Sequence, residues 1–122
     1  MRYFHELKRG FIEKHVNLKL LKSYTYWRYY VYGSKLTKHT DRPSCEISVT
    51  ASIQQSKEWP IQMNKEWITM NEGDAVVYMG CDIPHGRGTF KHDANAQVFF
   101  HYVDQDGPFT HHQNDQPIKD AY

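Results

Sequence analysis

No stretch of this 122-residue sequence approaches the ~20 consecutive apolar residues that a membrane-spanning helix requires. The opening "MRYFHELKRGF" lacks an apolar central run, so no secretory signal is expected. Cysteine is scarce: Cys45 and Cys81 are too few for a disulfide framework and are expected to be free thiols. A soluble, reducing, cytoplasmic setting and no membrane partner follow as expectations. A charge excess of one sign is missing as well. The formal net charge is +1 with histidine neutral, which argues against a nucleic-acid footprint, since that needs a basic face or a high pI. Lys8, Arg9, Lys14, Lys19 and Lys22 gather early in the chain but read as a solvated helix face. There is no internal repeat, low-complexity segment or linker, and the length fits one domain.

Aromatic residues are what the chain has in plenty: nine Tyr, six Phe and three Trp. Large rings bring much buried area per residue to a small core. The first segment, "YFHELKRGFIEKHVNLKLL", has helical spacing, with Phe4, Leu7, Phe11 and Val16 near one face and a break at Gly10. From Ser23 the period becomes that of strands. "YTYWRYYVY" is aromatic and β-branched and ends at the turn signal Gly33-Ser34. "CEISVTASI" alternates, with Cys45, Ile47, Val49 and Ala51 on one side and Glu46, Ser48 and Thr50 on the other. "WPIQM", "EWITM", "GDAVVYMG" and "AQVFFHYV" complete about seven or eight short strands. That arrangement predicts a closed or double-sheet β architecture. Residues 1–22 are expected to form a helical support, 23–108 the β core and 109–122 an irregular tail.

Within this frame "KLTKHTDRPSCE" sets His39 and Asp41 one residue apart at a strand edge. On a strand, residues i and i+2 share a face, so the two side chains can offer adjacent ligand positions to one metal; a polar turn is the alternative. A third ligand must come from elsewhere. Of the eight histidines, His85 stands out in "EGDAVVYMGCDIPHGRG", where Pro84 fixes the backbone before it and Gly86 leaves the ligand side uncrowded. Two histidines and a carboxylate on one face form a facial triad that binds Fe(II) and leaves three positions open.

These stretches, His39-x-Asp41, "GDAVVYMGCDIPH", "P-H-x-R" and "QVFFHYV", resemble the 2-oxoglutarate and Fe(II)-dependent dioxygenases, most closely the prolyl 4-hydroxylase-like group. The resemblance runs from about Tyr24 to Pro108. It implies a mainly β fold, a double-stranded β-helix (jelly-roll) core with the short helical segment before it. It also implies Fe(II) and 2-oxoglutarate as cofactors, with His39, Asp41 and His85 as the iron ligands. The implied reaction couples decarboxylation of 2-oxoglutarate to succinate and CO₂ with hydroxylation of a substrate C–H bond by dioxygen. The substrate class stays open between a peptidyl proline, an amino acid and another small molecule.

The family carries a basic residue on the strand after the second histidine, where it meets the distal carboxylate of 2-oxoglutarate. Here Gln97 stands near that place, and no Lys or Arg lies between Lys91 and Lys119. A carboxylate buried without a cation is costly. Arg87 is the first candidate to supply one, being i+2 from His85. Arg28 follows, on the side shared with Tyr30 and Tyr32, and Lys91 is third. Tyr32 matches a family position that touches the co-substrate, and Gln97 has the capacity to donate a hydrogen bond to the same carboxylate. Trp27, Tyr29, Arg42 and Trp59 are weaker candidates for a substrate groove. The chain is short for this group, so a lid is expected from the N-terminal segment, the tail or a second subunit of a homodimer. Rival readings are a cupin-type metal-binding jelly roll without 2-oxoglutarate, a degenerate non-catalytic module, and a nucleic-acid binder.

Overall fold

The computed structural model describes residues 2–117, with side chains from Lys8 onward. Helix α1 (Arg2–Val16) runs unbroken through Gly10. A mid-helix glycine costs only about 1 kcal/mol, less than is returned by docking the helix on a sheet. The docked face is Ile12 with Val16, one residue round from the expected Phe11, which is solvent-exposed. Phe4, Leu7 and His5 lie outside the described side chains. The helix stops at Asn17, whose φ of 57° and N–H bond to the Glu13 carbonyl (2.9 Å) form a left-handed terminus.

Eight strands follow: β1 (Leu20–Val31), β2 (Leu36–His39), β3 (Ile47–Gln55), β4 (Ile61–Met63), β5 (Glu66–Ile68), β6 (Ala75–Tyr78), β7 (His85–Arg87) and β8 (Ala94–Asp104). They form two four-stranded antiparallel sheets, ordered β1-β8-β3-β6 and β2-β7-β4-β5. This is the jelly-roll arrangement expected from the sequence. Strand β1 starts at Leu20, three residues before the change of period at Ser23, because Leu20 and Leu21 already pair with Asp104 and Val103. No helix among the described residues is long and apolar enough to cross a membrane.

The sense of the alternation on β3 decides where the site lies. Ile47 and Val49 face outward and pack under α1 with Ile12, Leu20 and Tyr102. The inner side of β3 is polar: Ser48, Thr50 and Ser52 are all fully buried between the sheets. Asn95, Gln97 and His101 on β8 and Arg87 on β7 are buried with them. A buried polar group left unpaired costs roughly 1–3 kcal/mol, so these groups bond one another. Ser48 Oγ meets His101 Nδ1 at 2.8 Å, Thr50 Oγ1 meets the Tyr78 hydroxyl at 2.9 Å, and Gln97 Nε2 donates to Asn95 Oδ1 at 2.6 Å. Apolar packing flanks this polar interior. Tyr30, Trp59, Phe90 and Phe99 form one cluster, and Ile61, Met63, Met70 and Tyr78 another.

Candidate metal centre

His39 and His85 are direct cross-strand partners in the β2–β7 ladder, which sets their rings side by side with centroids 4.5 Å apart. Strand β2 ends at His39, so strand alternation alone does not place Asp41. Its backbone N–H donates to the Gly80 carbonyl at 2.8 Å, which draws the loop after β2 onto the turn after β6. The result is convergent: Asp41 Oδ1 lies 3.2 Å from His39 Nε2 and 3.3 Å from His85 Nε2. The three ligand atoms all fall within 4.8 Å of one another, the one such His/Cys/Asp/Glu group among the described residues.

The ring orientations make the group a ligand set. His39 Nδ1 is 2.6 Å from the Thr37 carbonyl, and His85 Nδ1 is 2.8 Å from the Ile83 carbonyl. A carbonyl only accepts, so each Nδ1 donates to it and each Nε2 is turned toward Asp41 Oδ1. Without a metal the Nε2 atoms hydrogen-bond that oxygen through their protons; a cation would displace those protons and take both nitrogens and the oxygen as ligands. A backbone carbonyl behind each imidazole is the usual orienting partner of a metal ligand. The donor set, two nitrogens and one oxygen on one face, fits Fe(II). Burial alone would raise the Asp41 pKa; hydrogen bonding to His39 and His85 outweighs it and holds the carboxyl down to about 2. Asp41 therefore stays an anion whenever the protein is folded near neutrality.

Two glycines are required by close approach. A Cβ at Gly80 would collide with Asp41 Oδ2 and the Cys45 carbonyl oxygen and crowd Ser48 Oγ at 3.0 Å. A Cβ at Gly86 would meet the Leu36 carbonyl oxygen at 2.7 Å and the Lys38 Cα at 2.8 Å. Gly86 thus lets β2 and β7 pair and does not clear the ligand side, contrary to the sequence-based expectation. Gly80→Ala is expected to cost roughly 1–3 kcal/mol, the scale of overpacking, and to weaken metal binding by displacing Asp41. Thermal unfolding and metal titration of this variant check both; a variant that binds metal like the native chain would refute this account of how Asp41 is held.

The triad opens into a narrow cleft of about 30 Å³ lined by Tyr24, Tyr26, Arg28, Tyr30, Tyr78 and His101, among others. Arg28 points into this cleft, its guanidinium carbon 5.7 Å from the Tyr30 ring. Arg87 lies behind it, 4% exposed. It donates to the Trp59 carbonyl, to Gln97 Oε1 at 3.4 Å and to Met70 Sδ at 3.5 Å, and stacks 4.9 Å over the Trp59 ring. Burial pulls its pKa down to about 10, against the opposing influence of Tyr30 and Tyr78. Among the described residues neither arginine meets a carboxylate, and Asp41 is the one acid lining the cleft. Gln97, 1% exposed, accepts from Arg87 and donates to Asn95, whose own Nδ2 has no partner among the described residues.

Other sequence candidates fall elsewhere. Tyr32 is 71% exposed because β1 ends at Val31 and the chain turns at Gly33; Tyr30, two residues earlier, lines the cleft instead, with Tyr24, Tyr26 and Tyr78. Trp27 and Tyr29 face outward and are exposed, Trp59 is buried under Arg87, and Lys91 is exposed. Arg42 sits at the rim, over the Tyr24 ring, with a hydrogen bond to the Gln116 carbonyl. His101 was visible in the sequence only as a strand residue; its pairing opposite Ser48 puts it inside the cleft. The signal that could have found it is the two-residue alternation of Asn95, Gln97, Phe99 and His101 on β8.

No protein-family model matches the chain, and no curated protein matches it. Solved structures do. A 2OG-Fe(II) oxygenase family oxidoreductase from Burkholderia pseudomallei aligns with a TM-score of 0.64 at 13% identity, over 84% of this chain and 54% of that one. A cupin protein from Bacteroides fragilis aligns at 0.54 and 13% identity, over 86% and 85%. A Streptococcus pyogenes protein of unknown function aligns at 0.51 and 18%, over 68% and 65%, so this chain spans under two thirds of it. What these likenesses establish is the fold: the chain is a jelly roll of the kind shared by cupins and by that oxygenase.

Proposed function

We propose that the protein is a non-haem iron, 2-oxoglutarate-dependent dioxygenase that hydroxylates a C–H bond of a small-molecule or peptide substrate. The observation that carries this reading is the pairing, in one polar interior, of a facial His39/Asp41/His85 set with two arginines that have no carboxylate partner among the described residues. A buried guanidinium without an anion is a standing cost, and a dicarboxylate bound at the metal would supply one. The likeness to the Burkholderia oxygenase supports the reading at the level of fold.

His39, Asp41 and His85 would hold the iron, and the iron with bound 2-oxoglutarate supplies the oxygen-activating chemistry. The chain's own residues bind, orient and shield. Asp41 contributes the negative charge, and the Thr37 and Ile83 carbonyls fix the imidazoles in the ligating tautomer. Arg28 and Arg87 face Tyr30 from two strands and would take the distal carboxylate. Arg87 on β7 thereby supplies the charge that Gln97 on β8 does not, and Gln97 locks its orientation. Tyr24, Tyr26, Phe99 and Tyr78 wall the cleft against water. No separate general base is needed, because the substrate bond is broken by hydrogen-atom removal.

A second reading, a cupin-type metal protein that does not use 2-oxoglutarate, is favoured by Gln97 at the strand position where a cation is expected and by the Bacteroides cupin likeness. Turnover separates the two. Iron-loaded protein given 2-oxoglutarate and air should form succinate, slowly even without its substrate. Metal-loaded protein that never forms succinate would favour the cupin reading.

A further inference from the structure

Two residues of the cleft have chemistry that metal ligation and co-substrate binding leave unused. Cys45 ends the short 3-10 turn (Pro43–Cys45) after Asp41, and Tyr24 stands on the inner face of β1. The Cys45 Sγ lies 3.1 Å from the Tyr24 hydroxyl oxygen, and both side chains line the same cleft as His39, Asp41 and His85. The thiol is 3% exposed, so outside oxidants and partner thiols do not reach it. Burial pushes its pKa up to about 12, with the Asp41 charge adding to the rise, which makes it a poor nucleophile. The phenol pKa is likewise raised, by burial first and then by Cys45. Arg42 lies 5.0 Å over the Tyr24 ring and fixes its plane. Heterolytic thiol chemistry is thus suppressed here. What remains is oxidation delivered from inside the cleft, where a thiol and a phenol already touch.

We infer that Cys45 and Tyr24 are the site of an autocatalytic thioether cross-link, formed when the iron-loaded protein meets dioxygen. The inference rests on the proposed metal centre. In the balanced step the Cys45 S–H bond breaks, together with the Tyr24 ring C–H bond ortho to the hydroxyl. One C–S bond forms, and the two protons and two electrons reduce dioxygen to hydrogen peroxide. The ortho carbon is the ring position two bonds from the oxygen that Sγ already contacts. The product would tie β1 to the turn carrying Asp41 and stiffen the cleft wall beside the metal. Cys81 meets no tyrosine among the described residues; its thiol donates to the Arg42 carbonyl at 3.3 Å.

The test uses the full chain, purified without oxygen, loaded with Fe(II), then exposed to air with and without 2-oxoglutarate. Iron retention, intact mass and thiol content after denaturation are read on the same sample. Expected are retained iron, a loss of two hydrogen atoms in most chains, and one titratable thiol in place of the two of Cys45 and Cys81. Cys45→Ser and Tyr24→Phe, each confirmed folded by circular dichroism, should keep their full mass. Retained iron with unchanged mass, or a gain of oxygen on either residue, would overturn the cross-link and leave the metal centre standing. Failure to retain iron would overturn both.

Discussion

Asp41→Ala should weaken Fe(II) binding by about a hundredfold or more, the upper end of what even orienting residues around a metal cost when lost, while the fold by circular dichroism is unchanged. Of the three converging ligand atoms, its oxygen carries the only negative charge. Removing it leaves two neutral imidazoles to hold a dication. His39→Ala and His85→Ala should have comparable effects, because each removes one of the same three donors. The control lies in the tail. His112 Nδ1 and Asp115 Oδ2 are 2.9 Å apart, as close as the pairs of the metal centre, but no third ligand joins them among the described residues. Asp115→Ala should leave Fe(II) affinity where it was. Equal loss in both variants would mean that non-specific surface binding was being measured.

Arg87→Met should change two properties in opposite directions. Without co-substrate, the guanidinium is buried with no carboxylate beside it among the described residues, and its pKa is pulled down to about 10 by burial. Methionine of similar reach relieves that desolvation, which offsets the loss of the donor to the Trp59 carbonyl and to Gln97 Oε1. The melting temperature of the metal- and co-substrate-free variant should therefore equal or exceed the native one. With 2-oxoglutarate the sign reverses. A buried carboxylate that loses its cation costs about 3–5 kcal/mol, so the affinity for 2-oxoglutarate, measured by anaerobic titration, should fall by two orders of magnitude or more. Arg28→Met tests the division of labour. If Arg28, on the cleft wall, carries the contact by itself, its loss reproduces the binding defect and Arg87→Met does not. A variant at Arg87 that melts lower and binds 2-oxoglutarate normally would make Arg87 a packing residue.

Much of the site was legible in the sequence as residue types at particular spacings, because ligand chemistry restricts those types tightly. His39, Asp41 and His85 could be picked out this way, and so could the absence of a Lys or Arg on the strand that carries Gln97. What could not be read was direction. Alternation on β3 gave the two faces correctly but not which one was inside, since a period of two fixes parity and nothing more. The apolar face went under the helix and the Ser48–Thr50–Ser52 face lined the barrel. On the helix, a phase error of one residue in the 3.6-residue period put Phe11 where Ile12 belongs. An uncertainty of one residue at the end of β1 accounts for Tyr32, which falls in the turn and leaves Tyr30 at the cleft. Arg28 and Arg87 are far apart in sequence, and their convergence on Tyr30 is a product of the sheet pairing. His101 was hidden for the same reason: only its register against Ser48 brings it beside Asp41.

The most direct measurement is an anaerobic Fe(II) titration, with and without 2-oxoglutarate, followed by visible absorption. The account predicts a weak charge-transfer band that needs both components, is absent in Asp41→Ala, and fades with succinate formation when air is admitted. Iron binding whose spectrum is indifferent to 2-oxoglutarate, with no succinate on oxygenation, would contradict it.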